Sequence, residues 1–215
     1  NYKNSKYCFH LPFTEVRLPS GKMSSRTGEN ILYTDMKEEI YKEALKETKS
    51  RHKDWTKTKI EKTALSIIMA AIKFPMISQD PNKTITFDPK KAISFEGDTG
   101  PYLQYTNARI ASVLKKEKPK KANLSLLTNS EESSLINKLS TFPDIIKKSA
   151  DEYRPYLIAN YLLELSRIFN EFYHKHQILK VQNDLKQARL NLLLATKIVL
   201  TTGLNLLAIE APEEM

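Results

Sequence analysis

The stretch with the clearest potential for chemistry is a short loop near the start of the chain. Gly21-Lys22-Met23-Ser24-Ser25-Arg26 presents an ammonium group and two hydroxyls just after a glycine. A lysine on a mobile loop can bring a point charge to phosphoryl oxygens as negative charge builds on them, and serine hydroxyls can donate hydrogen bonds. The string therefore predicts a loop that closes over a triphosphate, although an exposed basic hairpin would carry the same residues.

Charge and composition limit the kinds of partner and site. Lys plus Arg number 34 against 25 for Asp plus Glu, which gives a net charge of +9. Such a surplus favours a polyanionic partner, but a solvated lysine-rich surface would look the same. The single cysteine, Cys8, excludes an internal disulfide and suits a reducing compartment. The four histidines lack metal-ligand spacing, and no apolar run reaches the ~20 residues of a membrane span, so we predict no metal site and no membrane partner.

The elements that must position these residues are predicted to be mostly helices. Only five glycines occur, and the stretches between them are rich in helix formers. The exceptions are Phe13 to Leu18, which alternates like a short strand, and residues 78–93, which suggest a loop with a short extended piece. The charged residues 115–121 around Pro119 are the best linker candidate.

Helix boundaries follow from capping and breaking residues. Asp35 with Glu38 reads as an N-cap and its partner, and Asp98 or Thr99 can cap the helix that starts near Pro101. The predicted helices cover 35–48, 58–74 ending at Pro75, about 98–114, 131–148, 152–176, and 184–202 ending at Gly203.

The loop and a later segment resemble motifs of one enzyme family. Lys22, Met23 and Ser24 match the first three positions of the K-M-S-K-S signature loop of class I aminoacyl-tRNA synthetases, whereas Ser25 stands where that signature has a second lysine. Residues 94–110 resemble the FEGDTGPYLQY…ARI segment of arginyl-tRNA synthetases nearly residue for residue.

The end of the chain resembles the same family. Residues 187–215, with the final Met215, are similar to the end of its helical DALR domain. The resemblance implies a mostly α fold: a strand and loop segment from the end of a catalytic α/β domain (1–95), then an all-α anticodon-binding bundle (96–215).

The resemblance also implies roles for individual residues. Gly21 to Arg26 would form the ATP-binding loop, with Lys22, Ser24 and Ser25 catalytic and Lys22 stabilising the pyrophosphate as arginyl-adenylate forms. ATP with Mg²⁺ would be a substrate. The residues implied to contact tRNA are Tyr105, Arg109, Arg154, Arg167, Asn170, Tyr173, Arg189 and Met215.

Several of these have simpler interpretations. Arg154 could serve merely to start a helix, Tyr173 could be a core residue, and Arg189 could pair with Asp184 or Glu171.

The family joins arginine to tRNA(Arg). Because the sequence has no nucleotide-binding half, we expect this chain to bind tRNA without activating arginine, as a monomer in the cytoplasm or, alternatively, the mitochondrial matrix. The rival hypotheses are a non-catalytic helical tRNA-binding module derived from a synthetase, another class I synthetase, and a purely structural helical protein.

Overall fold

Helices dominate the part of the chain that the computed structural model describes, residues 3–19 and 33–215, as the sequence predicts. The strands are β1 (Val16–Arg17) and β2 (Ile85–Thr86). The helices are α1 (Tyr33–Arg51), α2 (Lys57–Ile77), α3 (Pro89–Ala92), α4 (Gly100–Lys116), α5 (Ser130–Ser140), α6 (Phe142–Asp151), α7 (Tyr156–Lys175) and α8 (Asn183–Leu206), with 3₁₀ turns at Ser5–Tyr7 and Leu124–Leu126.

The two strands form a small parallel sheet. Val16 lies opposite Ile85 and Arg17 opposite Thr86. The N–H of Phe87 donates to the carbonyl of Arg17 at 2.7 Å. Both extended pieces were predicted, but their pairing was not. The sheet ties the N-terminal segment to the connection between α2 and α3.

The predicted helix starts were right for α4 and wrong for α1. Thr99 caps α4, because its hydroxyl accepts from the N–H of Tyr102 at 3.1 Å. Asp35 is not an N-cap: it is the third residue of α1 and lies inside the helix.

Two helices continue past the proline and the glycine that were predicted to end them. α2 continues through Pro75 to Ile77, and the N–H of Ser78 still donates to the carbonyl of Phe74 at 2.9 Å. A proline in the last turn removes only one hydrogen bond, so the helix can tolerate it. α8 continues through Gly203, where an added Cβ would lie 2.6 Å from Cδ2 of Leu162. Gly203 thus permits close packing of α7 against α8 rather than ending the helix.

Two prolines also change the predicted bundle. The single helix expected over 131–148 is two helices, because α6 restarts at Phe142 with Pro143 in its first turn. α7 begins at Tyr156, after Pro155, rather than at residue 152.

Buried side chains of the described residues form two clusters that share α2. The larger one lies among α4, α5, α7 and α8 and includes Ala70 and Phe74 of α2. The smaller one lies among α1, α2 and α3 and includes Ile67, Ile68 and Ala71 of α2. Because α2 contributes to both, the first part of the chain packs firmly on the bundle.

Candidate nucleic-acid interface

Arg109 is the centre of the polar surface formed by α4 and α7. Its Nη1 donates to Oδ1 of Asn170 at 2.7 Å, and its Nη2 donates to the hydroxyl of Tyr105 at 3.2 Å. Its guanidinium carbon lies 4.8 Å from the ring centroid of Tyr105 and 5.4 Å from that of Tyr173. Four of the predicted residues are therefore brought together.

Helical spacing and neighbouring contacts hold this group in place. Tyr105 and Arg109 are four residues apart on α4, so they share a face. Asn170 also donates from Nδ2 to the hydroxyl of Tyr102 at 2.8 Å. Tyr173 packs beside the fully buried Phe169, with ring centroids 5.7 Å apart. All four side chains remain half-buried, so part of each is accessible to solvent while its contacts hold it in place.

A groove runs from this group to the connection between α1 and α2. Its volume is about 570 Å³. His52 and Trp55 line it on the α1–α2 side, and Tyr105, Arg109, Tyr173 and Met215 also line it. We call it the aromatic groove. Bases that leave a helical stack bind well to such surfaces, because rings stack on tyrosine and on the guanidinium plane.

The last residues of the chain reach the aromatic groove as an ordered tail, residues 207–215. Two buried amides on α4 hold its backbone: Nε2 of Gln104 donates to the carbonyl of Glu210 at 2.8 Å, and Nδ2 of Asn107 donates to that of Pro212 at 3.0 Å. Both side chains are fully buried. Met215 is thereby placed against the smaller hydrophobic cluster.

Charges on the tail are paired with lysines of the helices. Glu214 accepts from Nζ of Lys115 at 2.7 Å and from Lys59. The hydrogen bond from Lys115, followed by that from Lys59, lowers the pKa of Glu214 to about 2. Glu213 pairs with Lys197.

Two predicted arginines lie outside the group around Arg109. Arg167 is exposed on α7 and pairs with Asp98. Arg154 lies between α6 and α7 and pairs with Glu152 at 2.9 Å. Both guanidinium groups remain half-exposed.

Arg189 must be removed from the candidate surface. It is buried, with its Nε donating to Glu132 at 2.8 Å and its Nη1 to the carbonyl of Gln177 at 2.6 Å. Neither partner suggested by the sequence was right. Burial raises the pKa of Glu132, but hydrogen bonds from the N–H of Asn129 and from Arg189 outweigh it, so the net pKa is lowered. The pair joins the start of α5 to α8 and cannot reach RNA.

Sequence reasoning missed residues that shape the groove. Gln104 and Asn107 fall on the core-facing side of α4, beside Leu103 and Ile110, and that position could have identified them as buried amides. His52 and Trp55 carry no such signal, because their place beside Met215 depends on how α2 packs on α4.

The remaining predictions concern the loop Gly21 to Arg26, metal binding and membrane spans. The loop Gly21 to Arg26 lies outside the described residues. Within residues 3–19 and 33–215, no group of three or more His, Cys, Asp or Glu side chains is arranged to hold a metal ion. No helix in the same ranges has the length and apolar character needed to cross a membrane.

The described helices form a bundle in which cations and tyrosines line a groove, an arrangement suited to binding nucleic acid. The sequence profile of the DALR anticodon binding domain matches residues 103–215, which is more than half of the chain. The chain belongs to this family, as the sequence resemblance predicted.

Known relatives and a solved structure agree with this placement. The chain is 36% identical over 203 residues to an arginine–tRNA ligase of Methanocella arvoryzae, covering 94% of this chain and 36% of the relative. It is 38% identical over 217 residues to one of Treponema denticola, covering 96% and 37%. The Thermus thermophilus arginyl-tRNA synthetase matches with a TM-score of 0.87 and 32% identity over 96% of this chain and 35% of that one. The chain thus spans about a third of the length of these relatives.

Proposed function

We propose that the chain is part of an arginine–tRNA ligase and that it holds the anticodon arm of tRNA(Arg). The observation that carries the proposal is the group of Tyr105, Arg109, Asn170 and Tyr173, which lies within the stretch matched by an anticodon-binding family. The relatives that the chain resembles over nearly its whole length are arginine–tRNA ligases.

The geometry suggests how the anticodon arm is held. Unstacked bases lie on the rings of Tyr105 and Tyr173, while the N–H groups of Arg109 donate to base edges. Asn170 fixes the guanidinium so that little conformational entropy is lost on binding. Met215 forms part of the groove beside these bases. Arg167 and Arg154 exchange their carboxylate partners for phosphates at the edge of the site.

In the complete enzyme, ATP with Mg²⁺ and arginine are the other substrates, and the loop Gly21 to Arg26 closes over ATP. This assignment rests on the family resemblance of Lys22, Met23 and Ser24. The chain by itself binds tRNA as a monomer without activating arginine. Its compartment is the cytoplasm, with the mitochondrial matrix as the alternative.

The test is a binding titration with three RNAs: tRNA(Arg), another tRNA of equal length, and tRNA(Arg) with a changed anticodon. The chain should prefer the first. Arg109→Lys keeps the charge but loses the planar fork, so affinity for tRNA(Arg) should fall about tenfold. Arg17→Lys on β1, the matched control, should bind like the parent. Equal binding of all three RNAs by the parent would refute the proposal.

A further inference from the structure

Five lysines line a second groove beside the tail. Lys59 and Lys62 lie on α2, Lys115 lies at the end of α4, Lys118 lies just after that helix, and Lys197 lies on α8. The cavity has a volume of about 930 Å³. We call it the lysine groove. Its acidic lining residues are on the tail: Glu210, Glu213 and Glu214.

The tail glutamates occupy only some of these lysines. Glu214 pairs with Lys59 and Lys115, and Glu213 pairs with Lys197. Lys62 and Lys118 form no ion pair with any residue of the described ranges. The groove therefore combines unneutralised cations with cations held by exposed carboxylates.

These ion pairs are not needed to anchor the tail. Its backbone is already held by the fully buried Gln104 and Asn107. The ion pair of Lys115 with Glu214 is largely exposed, with side-chain exposures of 77% and 41%. Pairs in such a setting contribute little to stability, so another anion can replace the carboxylate at small cost.

The lysine groove and the aromatic groove meet at the tail. Lys115, Glu213 and Glu214 line both cavities. A strand with bases in the aromatic groove would pass its backbone over the tail and into the lysine groove. Phosphates are the anions best suited to follow, because each brings charge and several acceptor oxygens to the lysines.

We propose that the lysine groove binds the phosphate backbone of the RNA whose bases occupy the aromatic groove, and that Glu213 and Glu214 are built-in competitors that the phosphates displace. This proposal rests on the proposed function. The competitors weaken the binding of RNA that contacts only the lysines, because such RNA must displace the carboxylates without the added binding energy of bases held in the aromatic groove. The tail thus increases the preference for RNA that fits both grooves.

The first experiment removes the unpaired lysines from the 215-residue chain. Lys62→Ala with Lys118→Ala should weaken tRNA(Arg) binding about tenfold, and the slope of log affinity against log salt should fall by about 0.7 to 0.9 for each lost phosphate contact. The matched control is Lys147→Ala with Lys148→Ala, which removes the same charge from exposed positions on α6 and should change both quantities much less. Equal effects of the two double variants would overturn the groove assignment.

The second experiment removes the competitors. Glu213→Gln with Glu214→Gln should raise affinity several-fold and steepen the salt slope, with a larger gain for a tRNA of unrelated anticodon than for tRNA(Arg). Unchanged or weaker binding would show that the carboxylates do not compete with RNA. A parent chain without preference for tRNA(Arg) would refute the proposed function, whereas a selective parent with ineffective lysine variants would refute only the lysine groove.

Discussion

Arg189 and Glu132 illustrate how much a single side chain depends on its setting. From the sequence, Arg189 is one more cation on a helix of a basic protein. In the structure its side chain is 6% exposed and that of Glu132 is not exposed at all. The burial arises because α5 packs on α8, which no local pattern in either helix reveals.

Removing one partner of this pair should destabilise the bundle. Arg189→Met leaves a buried carboxylate without its main partner, which costs about 3–5 kcal/mol in the free energy of unfolding. Adding Glu132→Gln should recover much of this loss, since glutamine is neutral and can still accept from the N–H of Asn129. Urea denaturation of the two variants measures the difference. If the double variant is no more stable than Arg189→Met, the unpaired charge is not the cause.

A second prediction about a single residue concerns Lys22, whose role is supported only by the family resemblance. In the complete enzyme, Lys22→Ala should reduce ATP–pyrophosphate exchange by about 10²-fold or more, as expected for a charge that acts on the transition state. Affinity for tRNA should change little, because the resemblance assigns Lys22 to ATP rather than to RNA. Normal exchange in the variant would exclude Lys22 from catalysis.

At the scale of elements, the sequence predicted which segments are helical better than where they end. Apolar spacing and the Thr99 cap sufficed for α4, because both signals are local. Pro75 and Gly203 do not end their helices, because Pro75 lies in a last turn that tolerates proline and Gly203 lies at a close approach of two helices. The pairing of β1 with β2 was equally invisible, since it joins segments about 70 residues apart.

Gly100 and Gly203 each lie where two helices pack closely, and replacing them with alanine should destabilise the protein to different extents. At Gly100 a Cβ would lie 2.7 Å from the carbonyl carbon of Ala70, and backbone cannot move aside easily. At Gly203 it would meet the ends of the Leu162 side chain, which has other rotamers. Both changes overpack the core, typically by about 1–3 kcal/mol, and Gly100→Ala should be the more destabilising. Thermal unfolding of the two variants compares them, and the reverse order would contradict the explanation.

At the scale of the whole molecule, the sequence predicted the family, the fold class and the net charge but not the two grooves. The aromatic groove brings Trp55 of the α1–α2 connection beside Met215, and the lysine groove brings together cations from α2, α4 and α8 and from the segment just after α4. Such surfaces exist only after α2 has packed on α4 and the tail has been fixed by Gln104 and Asn107. Lysine content alone could not separate a binding surface from a solvated one.

Acid should loosen the contact between α5 and the end of α7. Hydrogen bonds from Lys175 and then His176 lower the pKa of Glu131 to about 2, and the side chain of Glu131 is only 16% exposed. A lowered pKa contributes stability that is full above the ordinary value of 4.5 and is lost as the pH falls towards 2.

The matched variant is Glu131→Gln. Over the interval from pH 4.5 to 2 its stability should fall less steeply than that of the parent, although it is the less stable protein at neutral pH. Urea midpoints at a series of pH values give the comparison. Parallel curves would mean that the Glu131 carboxylate does not control the acid response.

Trp55 gives the molecule an optical reporter at a useful position. It is the chain's single tryptophan, its ring is stacked on His52 at 3.8 Å, and Nζ of Lys59 lies 3.9 Å from its centroid. Lys59 in turn pairs with the tail through Glu214. Indole fluorescence therefore originates at one place, where the two grooves adjoin, and any event that moves Lys59 or fills the space beside Met215 should change its intensity without an attached dye.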